Sequence, residues 1–239
     1  MNLILYKSKK LIKKLIKKLI LLNFLLIFNL AIASIQETSK EIATVNFTAG
    51  EHFQILASNA CYLEKFPEEQ TKQKPTAIMF FSYGCAGCRE INKSFSQWKN
   101  VNKHKIEVRR YPVAFHKPWE NLARLYYVHQ DLFPESNGED IFNEIYANHK
   151  RLWLEQEMID FYAKHNISKE LFLKKYNSFD IDRKVKKAIE ASNHYKIFVT
   201  PNLIINGKNN SYMINFTMVK DPEMLFKVAD YLIKNNPTK

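Results

Sequence analysis

Two of the chain's three cysteines, Cys85 and Cys88, stand in the run SYGCAGCRE (82–90) with only Ala86 and Gly87 between them. A C-x-x-C pair can supply half of a metal site, close a small structural disulfide, or cycle between dithiol and disulfide. The flanking pattern sets what each thiol experiences. TAIMFFSY (76–83) is an unbroken apolar run with a β-branched start, suited to a buried strand, and Gly84 ends it. Beyond Cys85, Ile91, Phe95 and Trp98 recur at helical spacing. That places Cys85 in the first turn of a helix, where the N-terminal partial charge and unpaired N–H groups favour a thiolate. Cys85 is then expected to be the exposed, low-pKa nucleophile and Cys88, one turn in, the buried resolving thiol. Attack by Cys85 gives a mixed disulfide, and Cys88 displaces the product.

A second stretch belongs with the pair. Proline in Val199-Thr200-Pro201 directly precedes an expected paired strand, where it removes a ladder donor. The placement makes sense if the Thr200–Pro201 bond is cis, bringing the loop against the cysteines and freeing the Thr200 backbone to pair with an extended substrate. The other two readings of the pair have less behind them. Zinc needs two more ligands, and Cys61, His104, His116 and His129 offer no second short-spaced pair, so no metal is expected. A structural Cys85–Cys88 disulfide would close too short a loop to be an efficient staple. Cys61 reads as a buried packing residue or, in an exported chain, a thiol free to pair between chains.

The elements that must position these residues follow from pattern. IEVRRYPVAF (106–115) alternates and reads as a second strand stopped by Lys117-Pro118. From there to Lys196 the periods are helical: 118–132, 138–150, 154–166, 168–176 with Ser168 as N-cap, and 180–196 with acids in its first turn. Strand texture returns in IFVT (197–200) and NLIING (202–207). An Asn206-Gly207 turn leads to SYMINF (211–216), and Asp221-Pro222-Glu223 opens a last helix. The pattern is β–α–β, a helical block, then β–β–α. It predicts an α/β fold at 34–116 and 197–239, interrupted by a helical insertion at 117–196.

The front of the chain reads as an address. KKLIKKLIKKLI (9–20) precedes an apolar run from Leu19 to Ala33 that ends in Ala31-Ile32-Ala33. Positive, apolar and small-x-small segments in that order make residues 1–33 a secretory signal peptide, or an anchor through 19–33 if uncleaved. Outside the cytoplasm disulfides persist. The net charge of +12 is concentrated there: residues 1–33 hold seven lysines and no acid, which leaves +5 on the remainder. With no basic stripe interleaved with aromatics and no Gly-rich phosphate loop, neither nucleic acid nor nucleotide is an expected partner.

MFFSYGCAGCREI, YPVAFHKPWENLARLYY and VTPNLIINGK together resemble the DsbA-type thiol:disulfide interchange proteins of the bacterial periplasm, over about residues 75–235. The resemblance implies a thioredoxin fold with an inserted helical domain and no cofactor beyond a redox-active Cys85–Cys88 disulfide. It implies Cys85 as nucleophile, Cys88 as resolving thiol and Thr200-Pro201 as the cis-proline loop. Reduced or unfolded exported proteins are the implied clients, and a membrane-bound, quinone-coupled protein the implied reoxidant. The sequence departs from the family at Ala86-Gly87, where the best-known motif has Pro-His, and at Met79, where many thioredoxin-like proteins bury an acid. Both departures bear on potential, so a disulfide isomerase or reductase is the alternative within the fold. A binding domain with an inert disulfide is the alternative outside catalysis.

Overall fold

Phe80 explains the core of the molecule, because its strand is apolar on both faces and packs on both. In the computed structural model, which describes residues 17–18, 23–30, 47–56, 74–207 and 210–235, β2 (Thr76–Phe81) is an interior strand of a five-stranded sheet. The order is β1 (Gln54–Leu56), β5 (Ser211–Asn215), β4 (Asn202–Asn206), β2 and β3 (Glu107–Pro112). Among the five described strands, β2 and β3 are the pair that runs parallel. Their connection carries α1 (Ala86–Asn102), as a parallel crossover requires.

Side-chain alternation splits the core into two layers. Ala77, Met79, Phe81, Leu203 and Ile205 face one way, onto Ile91 and Phe95 of α1 and onto Leu225, Val228, Ala229 and Leu232 of the last helix, Pro222–Asn235. Ile78, Phe80 and Ile204 face the other way, with Tyr111 of β3 and with Ala188 and Ala191 of the helix Phe179–His194. Asp221 caps the last helix through its carboxylate, to Glu223 N and Met224 N.

Between β3 and β4 the chain forms α2 (Lys117–Leu132), α3 (Glu139–Tyr146), α4 (Glu155–Lys164), α5 (Lys169–Tyr176) and α6 (Phe179–His194). Ser168 caps α5 by accepting from Leu171 N, as its position predicts, and Ser178 does the same for α6 at Ile181 N. A short helix, α7 (Phe216–Val219), and α8 (Pro222–Asn235) complete the fold. Tyr126 and Phe142 are buried, with Tyr127 and Phe133 packed against them.

One local expectation fails. IFVT (197–200) is not a strand: Phe198 is 80% exposed and Val199 41%, because the chain here is turning into the Pro201 loop. The hairpin expected at Asn206-Gly207 is present, with β4 and β5 antiparallel. Asn206 pairs with Ser211, and Gly207 N donates to Asn210 O across the connection.

Contacts divide the chain into Met1–Asn46 and Phe47–Lys239. In the first unit residues 23–30 are helical and expose Phe24, Leu25, Leu26, Ile27, Phe28 and Leu30. No helix among the described residues is long and apolar enough to cross a membrane. The Ala31-Ile32-Ala33 segment, most of the KKLI repeat and Cys61 lie outside the described residues.

Candidate active site

β2 ends at Phe81, and four residues later the chain turns into α1 with Cys85 as the N-cap, in extended geometry (φ −105°, ψ 115°). The turn is held by Cys85 N donating to Ser82 O and Gly84 N donating to Ser82 Oγ, both at 3.1 Å. Gly84 is required by close approach: a Cβ there would fall 2.5 Å from Trp119 Nε1 of α2. The capping atom is the Cys85 sulfur, which accepts from Cys88 N at 3.2 Å. Cys88 N also reaches Cys85 O at 3.1 Å, so the sulfur shares a helix N-terminal donor that favours its thiolate.

The Thr200–Pro201 bond is cis, as expected, and β4 delivers it to the cysteines. Antiparallel pairing of β2 with β4 runs to Phe80↔Asn202, so the residues after one strand meet those before the other. Cys85 Sγ donates to Thr200 O at 3.4 Å, and a Cβ on Gly87 would sit 3.3 Å from the Pro201 ring and 3.5 Å from that of Phe216. This cover makes Cys85 less open than its place at a helix start predicts: it is 9% exposed, against 1% for Cys88. The asymmetry between the two sulfurs has the expected sense, and its size is smaller.

Their proton affinities diverge. Cys85 is pulled down from 9.0 to about 7, first by the hydrogen bond from the Cys88 thiol. Burial opposes this, while the Thr200 side chain and the backbone N–H groups of Cys88 and Gly87 add to it. Cys88 is pushed well above the usual thiol range by burial, then by its hydrogen bond to Cys85 and the charge there. Met79 of β2 is 1% exposed in the same core cluster as the pair, and its thioether brings no acidic proton acceptor to that cluster.

Residues that the motif does not announce complete the surroundings. Tyr146, at the end of α3, has its phenol pushed up to about 12, by burial first and then by the charges of Cys85 and Cys88. Arg89 lies over the same ring at 5.4 Å. Trp119 stacks on Phe115, which is 44% exposed. His116 precedes α2 without a side-chain capping bond and lies tilted against Trp119. His129 is buried elsewhere, between Ser136 Oγ and Tyr162 Oη. Among the described residues no group of three His, Cys, Asp or Glu side chains could hold a metal ion.

A family model described as thioredoxin matches residues 70–220. The DsbA thiol:disulfide interchange protein of Azotobacter vinelandii is 31% identical over 162 residues, which are 67% of this chain and 74% of that one. The Pseudomonas aeruginosa PAO1 protein of the same name is 28% identical over 213 residues, 89% of this chain and 95% of the other. A crystal structure of Pseudomonas aeruginosa DsbA superposes with a TM-score of 0.69 at 28% identity, covering 79% of this chain and 94% of that one. The chain therefore belongs to the DsbA family of thiol:disulfide interchange proteins, disulfide oxidoreductases whose redox group is a cysteine pair and not an external cofactor.

Proposed function

We propose that the cysteine pair of this oxidoreductase is Cys85–Cys88, with Cys85 as the attacking and leaving sulfur and Cys88 as the resolving one. The observation that carries the assignment is the split in proton affinity across one helical turn, Cys85 down to about 7 and Cys88 well up. In the oxidising direction a client thiolate attacks Cys85 Sγ of the disulfide. The Cys85–Cys88 bond breaks and Cys88 leaves, taking up a proton because its thiolate is disfavoured. A second client thiolate then attacks the client sulfur of the mixed disulfide, and Cys85 departs as the stabilised thiolate. Two client thiols are oxidised and the protein's disulfide is reduced to a dithiol, with electrons balanced. Thr200 and Pro201 position the client: the Thr200 backbone lies against Cys85 and can pair with an extended chain.

A specific observation favours a second direction. A nucleophile near 7 matches the value of about 7 in thioredoxin more closely than the value of about 3.5 in the reference DsbA. With Ala86-Gly87 between the cysteines, isomerisation or reduction of client disulfides is the companion reading.

The reading of 1–33 as an export signal, or of 19–33 as an anchor, supports a reaction in the periplasm, on reduced or unfolded exported proteins. A membrane-bound partner would restore the disulfide. In this reading residues 34–116 and 197–239 are the thioredoxin-like domain and 117–196 the inserted helical one. The test is Cys88→Ser expressed in a secreting cell. Mixed disulfides should accumulate on Cys85, and their absence, with wild-type protein inert toward reduced and disulfide-bonded substrates, removes the assignment.

A further inference from the structure

Among the described residues β3 is an edge strand, and its outer side is not plain surface. Glu107 N donates to Pro75 O and Val113 N to Phe81 O, so in this parallel pair the odd-numbered residues turn their peptide groups toward β2. The N–H and C=O of Val108 and Arg110 consequently face away from the sheet, toward whatever adds to that edge. A cavity of about 540 Å³ lies along it, lined by Val108 to Tyr111 and by residues of α1, α2, the α2–α3 loop and α6.

The lining is one-sided in charge. Lys99, Arg109, Arg110, Lys184 and Lys187 contribute cations, and Glu135 is the single acid among the lining residues. Glu107 pairs with Arg109, and Asp131 and Asp180 engage Lys184. Lys99 and Arg110 form no ion pair among the described residues. Arg110 Nε is buried with no hydrogen-bond partner, although Nη1 reaches Asn92 Oδ1 and Asn137 O. Tyr126 and Tyr127 supply aromatic surface on the α2 side.

The geometry points to this edge as a second polypeptide-binding site, which takes an extended acidic segment by strand addition to β3. A strand edge offers alternating donors and acceptors that only an extended backbone can match. Charges on an edge normally repel further strands, and here their sign selects which strand is accepted. The placement is independent of the roles given to Cys85 and Cys88.

The probe is a cysteine-free synthetic peptide of alternating Glu and Val, added to the full chain. Its Lys-Val counterpart and a version N-methylated at alternate amides serve as controls. Binding is read by fluorescence anisotropy, and amide hydrogen exchange locates it. The Glu-Val peptide is expected to bind, to weaken as salt is raised, and to slow exchange at Val108 and Arg110. N-methylation is expected to abolish binding. Lys99→Glu is expected to weaken it about threefold or more, as loss and reversal of a rim charge should, with Lys99→Gln intermediate. Equal binding of the N-methylated or Lys-Val peptide, no binding at all, or protection confined to residues 198–201 would each overturn the proposal. Exchange with oxidised glutathione, measured on the same samples, reads the cysteine assignment separately, so either can fail alone.

Discussion

Replacing Cys88 by alanine removes the thiol whose hydrogen bond is the largest single cause of the low Cys85 pKa, while Cys88→Ser keeps a donor in its place. The full displacement, from 9.0 to about 7, is worth about 2.7 kcal/mol of preference for the thiolate. Hydrogen bonds to charged groups contribute about 1.5–3 kcal/mol, and a thiol is a weak donor, so about half of the displacement is assigned to Cys88. Cys85 in the alanine variant is then expected to titrate near 8, and its thiolate fraction at pH 7 to fall from about one half to about one tenth. The serine variant should stay close to wild type. The assay is the pH dependence of iodoacetamide alkylation in the reduced protein, followed at Cys85 by peptide mass spectrometry so that Cys61 does not enter the signal. If the alanine variant still titrates near 7, the helix N-terminus and Thr200 lower the pKa unaided, and the role given to Cys88 is refuted.

The same pKa bears on potential. At pH 7 a nucleophile near 7 stabilises the reduced form less than the nucleophile near 3.5 of a strongly oxidising DsbA, so this couple is expected to lie below that protein's value of about −120 mV. A glutathione redox titration giving a value at or above about −120 mV would contradict this. Gly84→Ala drives a methyl group into Trp119 and should cost about 1–3 kcal/mol, seen as a lower denaturation midpoint with altered tryptophan fluorescence. An unchanged midpoint would show that Trp119 moves freely. Burial holds the His129 pKa below its ordinary value, outweighing Asp140, so the unfolded chain binds more protons and stability falls as pH drops below about 6.5. His129→Gln should flatten the acid side of the stability profile, and an unchanged slope would exclude His129 as its source.

What could be read in the sequence was what local pattern encodes. TAIMFFSY identified a buried interior strand because burial on both faces leaves an unbroken apolar run, and Ile91, Phe95 and Trp98 marked the inner face of α1. Ser168 was legible as a cap and Asp221-Pro222 as a helix entry. IFVT misled because β-branched and aromatic residues favour strands wherever they stand, and here they form the exposed approach to Pro201. β1 is only three residues long and acquires its strand character from β5. Trp119, Tyr146 and Phe216 were invisible as site residues because each comes from a different element and meets the cysteines only through the fold. Cys85 was placed correctly, and its accessibility was overestimated because the covering Thr200-Pro201 loop lies more than a hundred residues away.

The adjacency of β2 and β4 has a consequence for how such a chain can change. Cys85 follows one strand and the Thr200-Pro201 loop enters the next, and the antiparallel pairing from Thr76↔Asn206 to Phe80↔Asn202 fixes the distance between them. The helices from α2 to α6 are a detour between β3 and β4, so in topological terms their combined length is a free variable. Lineages can lengthen, trim or reshape that detour, and with it the surface shown to clients, while the sulfur and its loop stay in register.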